Sequence, residues 1–158
     1  RNQDLCTNGG SLASINSTSG VLYAEIAALS NDGTSRYISI SDGTSSNAIK
    51  IYYFLSGGFV FFQKLVNGVR TTNINANYVI KTDFNKIAIR YNSTEISVFL
   101  NGVNIINNAD TNVFAPNTLN TLQFTDANGA DNFFGKTKAL AVWKEALTDA
   151  ELTELTTI

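Results

Sequence analysis

Thirteen carboxylates and no histidine define the chemistry open to this chain. Without an imidazole the commonest general base near neutral pH is missing, so acid–base work would fall to paired acids. Cleaving a glycosidic bond takes two carboxyls about 5–10 Å apart. The only acids at i and i+2 are Asp149 and Glu151. They fall in TDAELTEL, which reads as the start of a helix, where acids favour the dipole. Glu25 is alone on its strand, while distant acids such as Asp42 and Glu95 are still free to converge in the fold. Cys6 has no second cysteine to bond and no histidine to activate it, and it reads as a small buried side chain.

The densest run of oxygen ligands is Asp126-Ala127-Asn128-Gly129-Ala130-Asp131-Asn132. Carboxylates and amides at this spacing suit Ca²⁺. The run lacks the EF-hand spacing and its closing Glu, and Asp, Asn and Gly are also what a tight turn selects. A structural turn is therefore the first reading, and a calcium site the second.

These residues must be held by strands. VLYAEIAALS sends Leu22, Ala24, Ile26 and Ala28 to one face and Val21, Tyr23, Glu25 and Ala27 to the other. Asp32-Gly33 and Asp42-Gly43 bracket RYISIS as turns of a meander. AIKIYYF alternates Ile49, Ile51 and Tyr53 against Lys50, Tyr52 and Phe54, and Gly57-Gly58 leads into GFVFFQKLV as a hairpin. Asn67-Gly68 and Asn101-Gly102 mark two more hairpins. KIAIRY and ISVFL turn Ile87, Ile89, Ile96, Val98 and Leu100 inward. GKTKALAVW is a late strand, and Trp143 shares a face with Ala139 and Ala141, which marks it as a packing residue. Thr148 with Glu151 three residues on forms a capping box for a short helix, and Leu147, Leu152 and Leu155 give that helix an apolar edge. Short strands separated by turn signals describe an all-β sandwich or barrel.

Composition agrees. At 158 residues the chain is one domain, residues 1–158. It is long enough to bury roughly 70% of its unfolded surface. Charged residues are only 15% and the net charge is −2, so no basic patch offers itself to nucleic acid. No apolar run is long enough to insert in a membrane as a helix. The chain begins at Arg1 and contains no Met, which reads as part of a longer protein.

With those residues in view, the chain resembles the concanavalin A-like jelly rolls of the laminin-G type. The resemblance rests on Lys86–Tyr91, on Ile96–Gly102 with its Asn-Gly end, and on Gly135–Leu152 running into Leu-Thr-Asp-Ala-Glu. RNQD near the start and the YAEIAAL and YISISDGTS stretches are similar to versions found in virion proteins of tailed phages. The resemblance implies two antiparallel sheets with one short C-terminal helix, and an activity of binding glycans rather than cutting them. Glucanases of similar fold carry their acids at i and i+2 on one strand, a pattern absent here. Several laminin-G relatives hold calcium, which keeps that reading open, but no other cofactor is implied. A sugar site on such a sandwich combines aromatic rings with amides and carboxylates. Tyr37, Tyr52, Tyr53, Tyr78 and Tyr91 lie on or near strands, and Asp126, Asn128, Asp131 and Asn132 are the candidate ligand contacts. The expected partners are a cell-surface or environmental polysaccharide and other virion proteins, at a virion surface, with homo-oligomers suggested by analogy to fibre tips. The rival readings are a purely structural decoration or oligomerisation domain and a polysaccharide-cleaving enzyme.

Overall fold

The computed structural model describes Cys6 and residues 9–55, 58–76 and 79–158. Among these residues ten strands and one helix follow in order: β1 (Gly20–Ala28), β2 (Gly33–Ser41), β3 (Ala48–Leu55), β4 (Val60–Val66), β5 (Val69–Ala76), β6 (Asn85–Tyr91), β7 (Glu95–Leu100), β8 (Val103–Ala109), β9 (Thr121–Gln123), β10 (Gly135–Trp143) and α1 (Asp149–Thr156). They form two five-stranded antiparallel sheets, ordered β10-β1-β6-β7-β8 and β5-β4-β3-β2-β9. This is the expected jelly-roll sandwich.

The main core lies between the sheets. Leu22, Ala24, Ile26, Ile87, Ile89, Ile96 and Val98 of the first sheet face Ile38, Ile40, Ile49, Ile51, Tyr53, Val60 and Phe62 of the second. Period-two alternation sends these apolar residues to one side. On β1 the alternate residues are buried as well: Val21 and Tyr23 join Ala88, Phe99 and Leu152 in a second cluster on the far side of the first sheet. Helix α1 covers that side. Its capping box is complete, with Thr148 accepting from the Glu151 amide and Glu151 accepting from the Thr148 amide. Arg90 anchors the helix start through Asp149 at 2.6 Å.

Both Asn-Gly hairpins form as read. Asn67 and Gly68, and Asn101 and Gly102, all have positive φ, as the twist-matched two-residue turn requires. The β3–β4 hairpin also forms, although Gly57 lies outside the described residues. Two expectations need correction. Asp42-Gly43 does join the paired strands β2 and β3, but Asp32-Gly33 carries the chain from one sheet to the other. Strands β1 and β2 each expose an apolar face, so they pack face to face across the core rather than side by side. Asp32 fixes that crossing by accepting from Ser30, the Thr34 amide and the Arg36 guanidinium. Cys6 is half-buried rather than buried, because it lies against β9 at a sheet edge, its Sγ 3.7 Å from the Leu122 carbonyl oxygen.

Candidate functional site

The two sheets differ in what covers their outer faces. The first is roofed by α1, whereas among the described residues no helix lies on the second. Its outward residues follow from alternation: Tyr37, Ser39 and Ser41 on β2, Lys50 and Tyr52 on β3, Phe61 and Gln63 on β4. Cross-strand register sets them in two rows. Tyr37, Tyr52, Phe61 and Asn75 stand opposite one another in turn, and beside them run Gln123, Ser39, Lys50, Gln63 and Asn73.

In the aromatic row the Tyr37 and Tyr52 rings are 4.3 Å apart at 10°, and Tyr52 and Phe61 are 5.1 Å apart at 17°. Parallel rings this close must overlap face to face, because side by side their edges would collide. The rings therefore stand upright on the sheet and present edges and phenol tips, not a flat platform. Polar groups order those tips. Gln63 Nε2 donates to Tyr52 Oη at 2.8 Å and to Asn73 Oδ1 at 3.1 Å. Burial pushes the Tyr37 phenol up to about 12, helped by Tyr52, Asp131 and Asp126. Burial also raises Tyr52, against the pull of Arg70 and Gln63. Both phenols thus stay protonated at neutral pH and can donate to a ligand.

The loop after β9 borders this face. The Tyr37 amide donates to the Asp131 carbonyl oxygen at 3.1 Å, and Tyr37 also bridges Asn132. Ser45 ties the other end, its Oγ donating to the Asp126 carbonyl oxygen and its amide to Asn128 Oδ1, each at 3.0 Å. All four loop residues picked out in the sequence therefore lie along one margin of the rows, Asp131 and Asn132 beside Tyr37, Asp126 and Asn128 beside the 42–47 loop. Asp126 Oδ1 accepts from the amides of Asn128 and Ala130, which is turn geometry. No group of three or more Cys, Asp or Glu side chains placed to hold a metal ion occurs among the described residues. Ala127 takes φ 79° and Asp131 φ 49°. The former is costly for alanine, so the loop is held in a strained form.

The remaining sequence candidates resolve as packing or pairing. Tyr53 is buried, and Tyr91 is buried with its Oη donating to the Asn16 carbonyl oxygen at 2.7 Å. Trp143 meets Tyr23 edge-on at 6.2 Å in the cluster beneath α1. Tyr78 and the RNQD segment lie outside the described residues. Asp149 binds Arg90 and Glu151 caps the helix, Glu95 also binds Arg90, and Asp42 accepts from Thr44 and Asn47. Phe61, Gln63 and Arg70 were not singled out in the sequence. Alternation in VFFQKLV carries Phe61 and Gln63 outward, but Lys64 on the inward face disguises the pattern.

The family model for the concanavalin A-like lectin/glucanases superfamily matches residues 4–153. The chain belongs to that superfamily. No curated protein matches it. Among solved structures, this superfamily member is similar to the CBM40 domain of a Ruminococcus gnavus IT-sialidase, with a TM-score of 0.73 and 16% identity over 100% of this chain and 98% of that one. The same domain has been solved bound to α2,3-sialyllactose, at TM-score 0.69 and 15% identity over 100% and 97%. Domain 4 of an extracellular arabinanase from Geobacillus stearothermophilus, in complex with arabinotriose, gives 0.70 and 11% over 94% and 70%. At such identities the likeness is one of fold.

Proposed function

We propose that the domain binds glycans without cleaving them, through the outer face of the β5-β4-β3-β2-β9 sheet. The observation that carries this is the upright Tyr37–Tyr52–Phe61 row with Gln63, Asn73 and the 126–132 loop beside it. Phenol, amide and carboxylate groups in fixed positions match the alternating donors and acceptors of sugar hydroxyls, and ring edges meet the C–H faces between them. The CBM40 and arabinanase domains of similar fold, which hold sialyllactose and arabinotriose, support the ligand class. The pairing of Asp149, Glu151 and Glu95 with cations or caps supports binding over hydrolysis. The likeness of the YAEIAAL and YISISDGTS stretches to tailed-phage virion domains supports display on a virion, where weak sites act together through multivalency.

The test is a glycan array probed with a multimerised form of the domain, beside Tyr52→Ala and Gln63→Ala. Binding that both substitutions weaken by roughly ten-fold, the loss of one or two ordered hydrogen bonds, supports the reading. An array with no bound glycan would overturn it in favour of a purely structural domain. Reducing ends released from a polysaccharide would overturn the non-catalytic part.

A further inference from the structure

The second row of the outer face holds a cation that has no counter-ion among the described residues. Lys50 is only 5% exposed. Its Nζ donates to Ser45 Oγ at 2.9 Å and lies 5.9 Å from the centre of the Tyr37 ring. An ammonium has three donors, and here a single neutral hydroxyl takes one. The similarly buried Arg36, Lys64 and Arg90 each hold a carboxylate, at 2.9, 3.0 and 2.6 Å. Burial holds the Lys50 ammonium below its usual range, and the charge of Asp126 opposes this only in part. The Asp126 Oδ1 is occupied by two backbone amides, and it makes no ion pair with Lys50.

A second, exposed cation belongs to the same outer face. Arg70 pairs across the ladder with Leu65, one step along the outer face from Gln63 and Asn73. Its charge works to lower Tyr52, Lys50 and Tyr37, in each case less strongly than burial acts on them, and it forms no salt bridge among the described residues. A buried ammonium without a carboxylate is unfavourable, and a second cation on the same face adds to the attraction for an anion.

We propose that this face accepts the anionic group of an acidic saccharide, a carboxylate or a sulfate ester, between Lys50 and Arg70. The inference rests on the glycan reading above and narrows it. Gln63, Asn73 and the Tyr52 phenol take neighbouring hydroxyls while the two cations take the charge. Two cations on a chain of net charge −2 suit one acidic sugar and not a phosphate backbone.

Matched pairs with the anionic group present or masked test this: trigalacturonate and its methyl ester, 3′-sialyllactose and its methyl ester, sulfated and unsulfated dextran. Titration calorimetry on the intact chain should show the charged member of a carboxylate pair or of the sulfate pair binding roughly ten-fold tighter than its neutral counterpart. The pair that responds names the anion. Arg70→Ala and Lys50→Met should each remove that advantage. Lys136→Gln, on the exposed edge of the other sheet, should have no effect. If Lys50→Met fails to fold, Arg70→Ala at an exposed site still decides. Neutral and charged members binding equally, or an advantage that survives Arg70→Ala, overturns the inference and leaves the glycan reading intact. No binding by any sugar, charged or neutral, removes the glycan reading itself.

Discussion

Asp110 satisfies a charge inside an otherwise apolar interior. Its Oδ2 accepts from Lys64 Nζ at 3.0 Å and from Thr72 Oγ1 at 3.3 Å, and its Oδ1 accepts from the Asn112 amide and side chain. The Lys64 and Asp110 side chains are 1% and 4% exposed. The Lys64 ammonium also lies 5.5 Å from the centre of the Phe114 ring. Such a pair is a weak source of net stability, yet breaking it strands a buried charge. Asp110→Ala is expected to cost about 3–5 kcal/mol, read as a lower urea midpoint, whereas Lys136→Gln should be neutral. Burial pushes the Asp110 carboxyl up, but the bonds from Asn112 and Lys64 outweigh it and hold the group below the usual carboxylate range. A depressed carboxylate stabilises the fold above its unfolded pKa and loses that contribution as pH falls through its folded value. Stability measured from pH 7 downward should therefore drop below about pH 4 in the wild type. Asp110→Asn should show a smaller acid-dependent loss, and equal pH slopes for the two proteins would refute the assignment.

At the scale of elements, the two Asn-Gly hairpins are alike in sequence and unlike in surroundings. Gly68 has φ 78° with nothing near the position of a Cβ, so Gly68→Ala bears only the left-handed backbone cost, about 1–2 kcal/mol. Gly102 has φ 83°, and an added Cβ would lie 3.1 Å from Thr157 Oγ1, at the end of α1. Its amide also donates to Thr156 Oγ1. Gly102→Ala should therefore lower the urea midpoint further and increase amide exchange in the last turn of α1, which Gly68→Ala should not do. Equal losses would mean that the hairpin tip does not brace the helix. Both turns were legible in the sequence because an Asn-Gly pair acts on its own backbone, and so does the Thr148 capping box. Alternation likewise showed which residues of β1, β3, β6 and β7 point inward. Which sheet a strand joins is set by contacts far along the chain, and so Asp32-Gly33 passed for a hairpin. The 126–132 loop could be read from composition, but its place beside Tyr37 could not. Arg70 reaches the outer face only through a register shift between Lys64 and Leu65, a bulge that no local residue pattern announces.

For the molecule as a whole, the division of labour between its two outer faces is the organising feature. One face carries Val21, Tyr23, Ala88 and Phe99 and is closed by Leu152 of α1; the other carries the Tyr37–Tyr52–Phe61 row and, among the described residues, is flanked by loops rather than by a helix. Between them lies the main core, whose residues form a cluster separate from the one under the helix. Close-packed layers transmit a cavity mainly to their immediate neighbours, and side chains relax only partly around it. Leu152→Ala removes a fully buried side chain and should cost about 2–5 kcal/mol. Its effect should stop at the first sheet. Backbone amide spectra of the variant at 25 °C are expected to shift in β1, β6, β7 and α1. Tyr37, Tyr52 and Gln63 should keep their positions, and affinity for any glycan that the wild type holds should be unchanged. Shifts reaching Tyr52, or an affinity that falls in step with stability, would show that the helix-covered layer shapes the opposite face. The binding surface would then belong to both sheets rather than to one.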